Sequence, residues 1–168
     1  MLLGLGVWGE VPNWIRLVFL VAVVFGLIGC DKVSKDVAKT HLEQADGVSL
    51  VGDALELRYT ENRDVAFNAM SWVPESTRAR LILVTGAVAI CALGAMLLRR
   101  RQPLLSALSL SLILAGAVGN YWDRLERGYV VDFVHLTHWP VFNLADVYIT
   151  LGGIALLLSS WRPAPLRT

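Results

Sequence analysis

Charge of one sign, cysteine and histidine are all scarce in this chain. Its 15 basic and 14 acidic residues leave a formal net charge of +1 over 168 residues, and no basic run is interleaved with aromatics. Polyanion binding needs such a stripe, so nucleic acid is not expected as a partner. Two cysteines cannot build a disulfide framework: Cys30 ends one apolar run and Cys91 lies midway along another, so both are expected as free thiols. His41, His135 and His138 fit no metal-ligand spacing, and no acidic cluster resembles a calcium loop. Neither a metal nor another cofactor is therefore expected.

What the chain has in excess is apolar surface. Hydrophobic residues make up 55% and charged residues only 17%, and the mean hydropathy is +0.56. That composition reads as a polytopic membrane protein forming a single domain. Four stretches, about 14–30, 80–98, 103–122 and 141–161, approach the roughly 20 helical residues that cross a hydrocarbon core. Trp8, Trp14, Trp122, Trp139 and Trp161 lie near their ends, as an interfacial aromatic belt requires.

Between the second and third spans lies only Arg99-Arg100-Arg101-Gln102. The positive-inside rule puts this basic turn in the cytoplasm together with both termini, although Lys32, Lys35, Lys39, Arg124 and Arg127 fall on the opposite side and weaken the tally. Two segments then lie outside, 31–79 and 123–140. The longer begins as a polar helix and changes at Gly47, where Val48, Leu50, Val51, Leu55, Leu57 and Tyr59 predict strands broken at Gly52-Asp53. A small β element over about 47–68 is expected on the membrane surface, with a further turn or short helix starting at Pro74.

Arg16 and the run ending Leu27-Ile28-Gly29-Cys30 have the look of a lipoprotein signal peptide with its lipobox, which would make the chain a substrate. Cleavage there would leave three spans and sever Asp31 and Lys35 from the helix that positions them, so Cys30 is read as unprocessed.

Four constellations carry possible chemistry. Asp31 and Lys35 stand four apart with the acid first, the favourable order for a helical ion pair, and read equally as an interfacial anchor. Ser34 and Lys35 point about 100° apart on a helix and do not make a nucleophile dyad. In Ala115-Gly116-Ala117-Val118-Gly119-Asn120-Tyr121-Trp122-Asp123-Arg124, Ala115 and Gly119 form a small-xxx-small step, while Gly116, Asn120 and Asp123 share one face aimed into a bundle. Asn120 could simply bridge helices there, and Asp123 pair with Arg124. Val130-Val131-Asp132-Phe133 is a strand-like run broken by one carboxylate. Finally, Asn143, Asp146 and Thr150 fall on one face at the start of the fourth span. A carboxylate inside a span costs roughly 2.5 to 3.5 kcal/mol near the bilayer centre and less at the interface, so Asp146 is the strongest functional residue on physical grounds. A hydrogen bond to Asn120 or a salt bridge to Arg124 is the bland alternative. Two carboxylates that meet share one proton, and such a pair can activate water and protonate a leaving amine.

In this order, Asp31-x-x-Ser34-Lys35, Asn62 with Ala66-Phe67, Gly119-Asn120-x-x-Asp123-Arg124, Val130-Val131-Asp132-Phe133 and Phe142-Asn143-x-Ala145-Asp146 resemble the lipoprotein signal peptidase (signal peptidase II) family over about 15–161. The resemblance implies an all-α membrane protein of four transmembrane helices with a small extracytoplasmic β-cradle and a short, mobile outer helix. It implies a bacterial inner-membrane endopeptidase that cuts before the diacylglyceryl-modified cysteine of a lipobox, with Asp132 and Asp146 as its catalytic pair. Asn120, Arg124 and Asn143 would hold substrate or dyad, Asp31, Lys35 and Asp123 would support them, and Asn62 would sit on the cradle. Its partners would be prolipoprotein substrates and membrane lipids, and it would act as a monomer. The alternative is a non-catalytic paralogue that binds lipidated signal peptides. A small transporter would also use intramembrane carboxylates, but would not gather its polar groups at one end. One departure stands out: Glu61 replaces the family's Tyr and Asp64 its Gly. Aspartate tolerates a glycine's backbone angles less well, so a reshaped cradle is expected, with altered substrate preference or altered sensitivity to cleft-binding inhibitors.

Overall fold

The computed structural model describes residues 10–45, 47–52, 54–63, 72–99 and 102–160. Four long helices, α1 (Asn13–Leu42), α2 (Glu75–Leu97), α3 (Leu104–Arg127) and α4 (Leu144–Ser160), and three strands, β1 (Val48–Val51), β2 (Leu55–Asn62) and β3 (Val130–Leu136), follow in the order α1-β1-β2-α2-α3-β3-α4. Pro12, Pro74 and Pro103 stand immediately before α1, α2 and α3 in an extended conformation. The ring fixes φ and lacks only an N–H that a helix start leaves unpaired anyway. At its other end α3 stops on Gly128, whose φ of 80° is the left-handed angle that a helix terminus favours and a side chain resists.

Three of the helices are long and apolar enough to cross a membrane. The fourth has 17 described residues, about 26 Å of rise at 1.5 Å per residue. Their outer faces are apolar, with Val18, Phe25, Val84, Val88, Leu157 and Leu158 all exposed, which is the pattern of helices solvated by lipid. Trp14, Trp122 and Trp139 are also exposed near span ends, while Trp8 and Trp161 lie outside the described residues.

Several boundaries differ from the sequence reading. α1 continues unbroken past Cys30 to Leu42, so the polar segment after the first span is its last three turns. Pro74 opens α2 itself rather than a separate element, and α2 starts at Glu75 instead of residue 80. The outer helix that the resemblance implies has no counterpart among the described residues; the stretch 64–71, with Asp64, Ala66 and Phe67, lies outside them.

The strands form one antiparallel sheet in the order β1-β2-β3. Thr60 lies opposite Asp132 and Asn62 opposite Val130, with a register irregularity between Leu57 and Thr60. After β3 the chain folds back on itself: the Phe142 N–H donates to the Val134 carbonyl at 2.9 Å, and the Val134 N–H donates to the Phe142 carbonyl at 2.9 Å. That return sets Asn143 beside β3.

The core lies where α3 meets α4, with α1 and α2 both packed on α3. A Cβ built on Gly116 would stand 2.4 Å from the Ala145 carbonyl oxygen, and one on Gly152 would stand 2.7 Å from that of Ser109. Only glycine lets the two backbones approach so closely, and in lipid such packing replaces the missing hydrophobic drive.

Candidate active site

The polar residues singled out in the sequence converge at the sheet end of the bundle. At the centre is Lys35, with no exposed surface. Its Nζ lies 2.7 Å from Asp31 Oδ2 and 3.0 Å from Asp123 Oδ2, and it donates to Asn120 Oδ1 at 2.9 Å. Buried ions are tolerated only when paired and hydrogen-bonded, and each of these is. Asp31 Oδ1 accepts the Ala145 N–H at 2.9 Å, tying α1 to the first turn of α4. Its other oxygen occupies the space a Cβ at Gly119 would fill, 2.4 Å away. Asp123 reaches the Val131 N–H at 3.4 Å and Arg127 Nη1 at 3.3 Å. Asp123 thus pairs with Lys35 and Arg127, not with the adjacent Arg124. Ser34 turns away, donating to the Asp31 carbonyl at 2.7 Å.

From this cluster a chain of amides leads to Asp132 and Asp146. Asn120 Nδ2 donates to Asp146 Oδ1 at 2.9 Å, so the bridge weighed against a functional role for Asp146 is present, inside a larger network. Asn143 immediately precedes α4 and forms a reciprocal cap: its Oδ1 accepts the Asp146 N–H at 3.0 Å, and Asp146 Oδ2 accepts the Asn143 N–H at 3.1 Å. This is the capping box, with aspartate in place of the usual glutamate. The same Asn143 donates through Nδ2 to Asp132 Oδ1 at 2.6 Å and to Asn120 Oδ1 at 3.1 Å. One fully buried residue therefore holds both acids, Asp132 through its side-chain amide and Asp146 through its backbone N–H. Asn62, on β2, completes the shell by donating to Asp132 Oδ2 at 2.9 Å.

Both acids line one cavity of about 600 Å³, together with Asn62, Asn120 and Arg124. Arg124 donates to the Asn120 carbonyl at 3.0 Å. Thr150, expected on the polar face of α4, is exposed instead, and Ile149 lines the cavity. Asp132 is only 2% exposed. Burial pushes its carboxyl up to about 6, with the charge of Asp146 adding to the rise and the amides of Asn62 and Asn143 opposing it. A carboxyl poised there can hold a proton close to neutral pH and release it on demand.

The wall facing the acids went unread in the sequence. It comes from α2, with Leu81, Ile82, Thr85, Gly86 and Ala89, and from Tyr121 on α3. Arg127 was legible, standing four residues after Asp123 in the same favourable order as Asp31 and Lys35. At the rim, Glu61 binds Arg63 at 3.0 Å, and Arg63 lies over the Tyr129 ring at 5.6 Å. The residue that departs from the family pattern therefore holds a local charge pair next to Asn62.

Known proteins resemble this chain along most of its length. The family model for signal peptidase (SPase) II matches residues 23–162. The chain belongs to the signal peptidase II family. It is 40% identical over 139 residues to a lipoprotein signal peptidase of Moorella thermoacetica, covering 82% of this chain and 89% of that one. It is 38% identical over 143 residues to that of Syntrophomonas wolfei, covering 83% and 87%. A bacterial membrane enzyme solved by the in meso method at 1.9 Å superimposes with a TM-score of 0.75 at 23% identity, over 87% of this chain and 94% of the other. The family resemblance carried by the ordered motifs is thereby established, and with it a multi-pass membrane peptidase of mostly helical fold.

Proposed function

We propose that this chain is an aspartic endopeptidase of the bacterial cytoplasmic membrane that removes signal peptides from prolipoproteins. It cuts before the lipobox cysteine once that residue carries its diacylglyceryl group, and Asp132 and Asp146 are its catalytic pair. The supporting observation is that the two carboxylates line one cavity and are both held by buried Asn143, whose side-chain amide donates to Asp132 and whose backbone N–H donates to Asp146.

In this reading the pair shares one proton, which the burial of Asp132 favours on that residue. Asp146, ionised at the positive end of α4, takes a proton from water as the water oxygen attacks the scissile carbonyl. Protonated Asp132 hydrogen-bonds the developing oxyanion. The tetrahedral intermediate then collapses, and the proton held on Asp146 passes to the amine nitrogen of the departing cysteine. Asn120 and Asn143 fix the two carboxylates, with Asn62 reaching Asp132 from the cradle. Asp31, Lys35 and Asp123 lock α1, α3, β3 and α4 together behind them. Arg124 stands in the cavity where a substrate carbonyl can meet it. The apolar α2 wall receives the signal segment. The active site faces outward, both termini face the cytoplasm, and the enzyme acts as a monomer.

Cys30 is not cut by its own kind, because it lies within the continuous helix α1, whose backbone is hydrogen-bonded rather than extended. Mass measurement of the N-terminus should find the chain intact there. For the dyad, Asp132→Asn and Asp146→Asn should each lower cleavage of a diacylglyceryl prolipoprotein by about a thousandfold or more while the protein still accumulates in the membrane. Substantial cleavage by either variant would remove that residue from the pair. A wild-type protein that binds such a substrate without cutting it would be a binding paralogue instead.

A further inference from the structure

At the end of the bundle away from the dyad, α1 and α2 leave a seam that peptide cleavage does not use. Two hollows of about 200 Å³ each share Leu17, Leu20, Leu97 and Leu98, and so form one groove. Its deeper half is wholly apolar and includes Val24, Gly94 and Leu114. A Cβ built on Gly94 meets nothing within 4 Å, so the groove has room at that point. The mouth is different: Asn13, Arg16 and Arg99 line it, two cations with no acid among the described lining residues. Arg16 is only 8% exposed and donates to the Gln102 carbonyl at 3.2 Å.

Arg16, Leu20 and Val24 follow one another every four residues on α1, a rise of about 6 Å per step. The cations therefore sit over an apolar channel that runs toward the middle of the membrane. Arg16 is also about 22 Å along α1 from Asp31, near the far boundary of the hydrocarbon layer. A phospholipid has this same profile, a phosphate at the interface with acyl chains below, and guanidinium groups bind phosphate through paired N–H donors. The crevice between α1 and α3 supplies a contrast. It too is apolar, with Phe25, Val118 and Trp122, but its polar end presents Asp31 and Asp123, and its Lys32 is bound to Glu126 at 2.9 Å. The cation lining that crevice is thus already paired with an acid.

We propose that the groove between α1 and α2 is a binding site for an anionic phospholipid, its phosphate on Arg16 and Arg99 and one acyl chain lying along Leu20, Val24 and Gly94. The site is independent of the cleavage chemistry.

Binding is tested on the whole purified protein in mild detergent by native mass spectrometry, titrating phosphatidylglycerol, phosphatidylcholine and soluble glycerol phosphate. Phosphatidylglycerol should bind about tenfold or more tighter than phosphatidylcholine, since each interfacial arginine contributes on the order of 1 kcal/mol. Arg99→Gln should weaken it about fivefold, and adding Arg16→Gln should erase the preference. Gly94→Phe should weaken both lipids by filling the channel. Arg99 is exposed and Gly94 borders open space, so those two variants fold even if the one at Arg16 does not. Equal affinity for the two lipids would overturn the proposal. So would a preference that survives loss of the arginines, or glycerol phosphate binding as tightly as the lipid.

Discussion

The two walls of the cavity are built on opposite principles. On one side, α3, α4 and the end of α1 meet through glycines at backbone contact and around ions with no access to solvent. On the other, α2 buries only Ile82 and packs chiefly on α3. Displacing the first wall exposes or unpairs Lys35, Asp31 and Asp123, whereas displacing the second separates mainly apolar side chains that lipid solvates equally well. In the proposed function the chemistry falls on the wall that resists motion, and the surface proposed to meet substrate is left free to adjust.

The largest effect should come from unlocking the first wall. Lys35→Met leaves two buried carboxylates, Asp31 and Asp123, without their shared cation, a loss of roughly 3 to 5 kcal/mol. Thermal unfolding in detergent should show a collapse in stability, and cleavage should fail because Asn120 also loses one of its two donors. Replacing Asp31 by Asn in the same chain should restore part of the stability. Lys32→Met is the control, because Lys32 pairs with Glu126 while 39% exposed, and its loss should change stability by less than about 1 kcal/mol. Equal effects of the two lysine variants would refute the claim that the buried ion cluster is what fixes the first wall.

A smaller effect concerns the acid on that wall. The folded-state value of Asp132 lies near 6, above the ordinary 3.8. The folded protein therefore holds the extra proton between those limits, and stability falls as pH rises through that window, by roughly 3 kcal/mol once pH exceeds 6. Asp132→Asn removes this slope. Its new amide nitrogen faces the donors on Asn62 or Asn143, a penalty of roughly 1 to 3 kcal/mol that does not vary with pH. Unfolding measured at pH 4, 5.5 and 7 should therefore show the variant gaining on the wild type as pH rises, whatever its effect on cleavage. Parallel curves would mean that Asp132 is not the strained member of the pair.

How far the sequence reveals this arrangement depends on the range over which each feature is decided. Asp146 is legible because the penalty for a carboxylate in a span is local, and the Asp31–Lys35 pair because one helical turn brings the two together. The partners that complete them come from elsewhere: Asp123 and Asn120 lie 88 and 85 positions beyond Lys35, which only tertiary packing can reveal. β3 reads as strand-like from its own residues, yet its register with β2, Thr60 opposite Asp132, is set across some 70 positions. Helix ends depart from the apolar windows for a different reason. Hydropathy reports the membrane, not the helix, so the polar residues of Glu75-Ser76-Thr77-Arg78-Ala79 and the last turns of α1 continue in helical hydrogen bonding beyond the apolar windows. The α2 wall carries no charged residue into the cavity, and its Thr85 hydroxyl is bonded within its own helix, so its contribution is shape.

That shape supplies the smallest and most selective effect. A Cβ built on Gly86 would stand 2.9 Å from Tyr121 Cδ2, a side-chain atom rather than backbone. In Gly86→Ala the Tyr121 ring must shift, which reshapes the cavity that both residues line. Helix propensity favours alanine over glycine by roughly 0.8 to 1 kcal/mol in a helix interior, offsetting the displacement, so the unfolding temperature should stay nearly unchanged. Occupancy by the signal segment should suffer instead. KM for a prolipoprotein should rise severalfold while kcat holds within about a factor of two, because the amides around Asp132 and Asp146 are untouched. Gly116→Ala, at the same chemical change on the opposite wall, should do the reverse. Its methyl would meet the Ala145 carbonyl at 2.4 Å, a backbone atom one residue from Asp146, so kcat and stability should fall together. If both variants raise KM alone, the two walls are equally compliant and the division of labour between them is wrong.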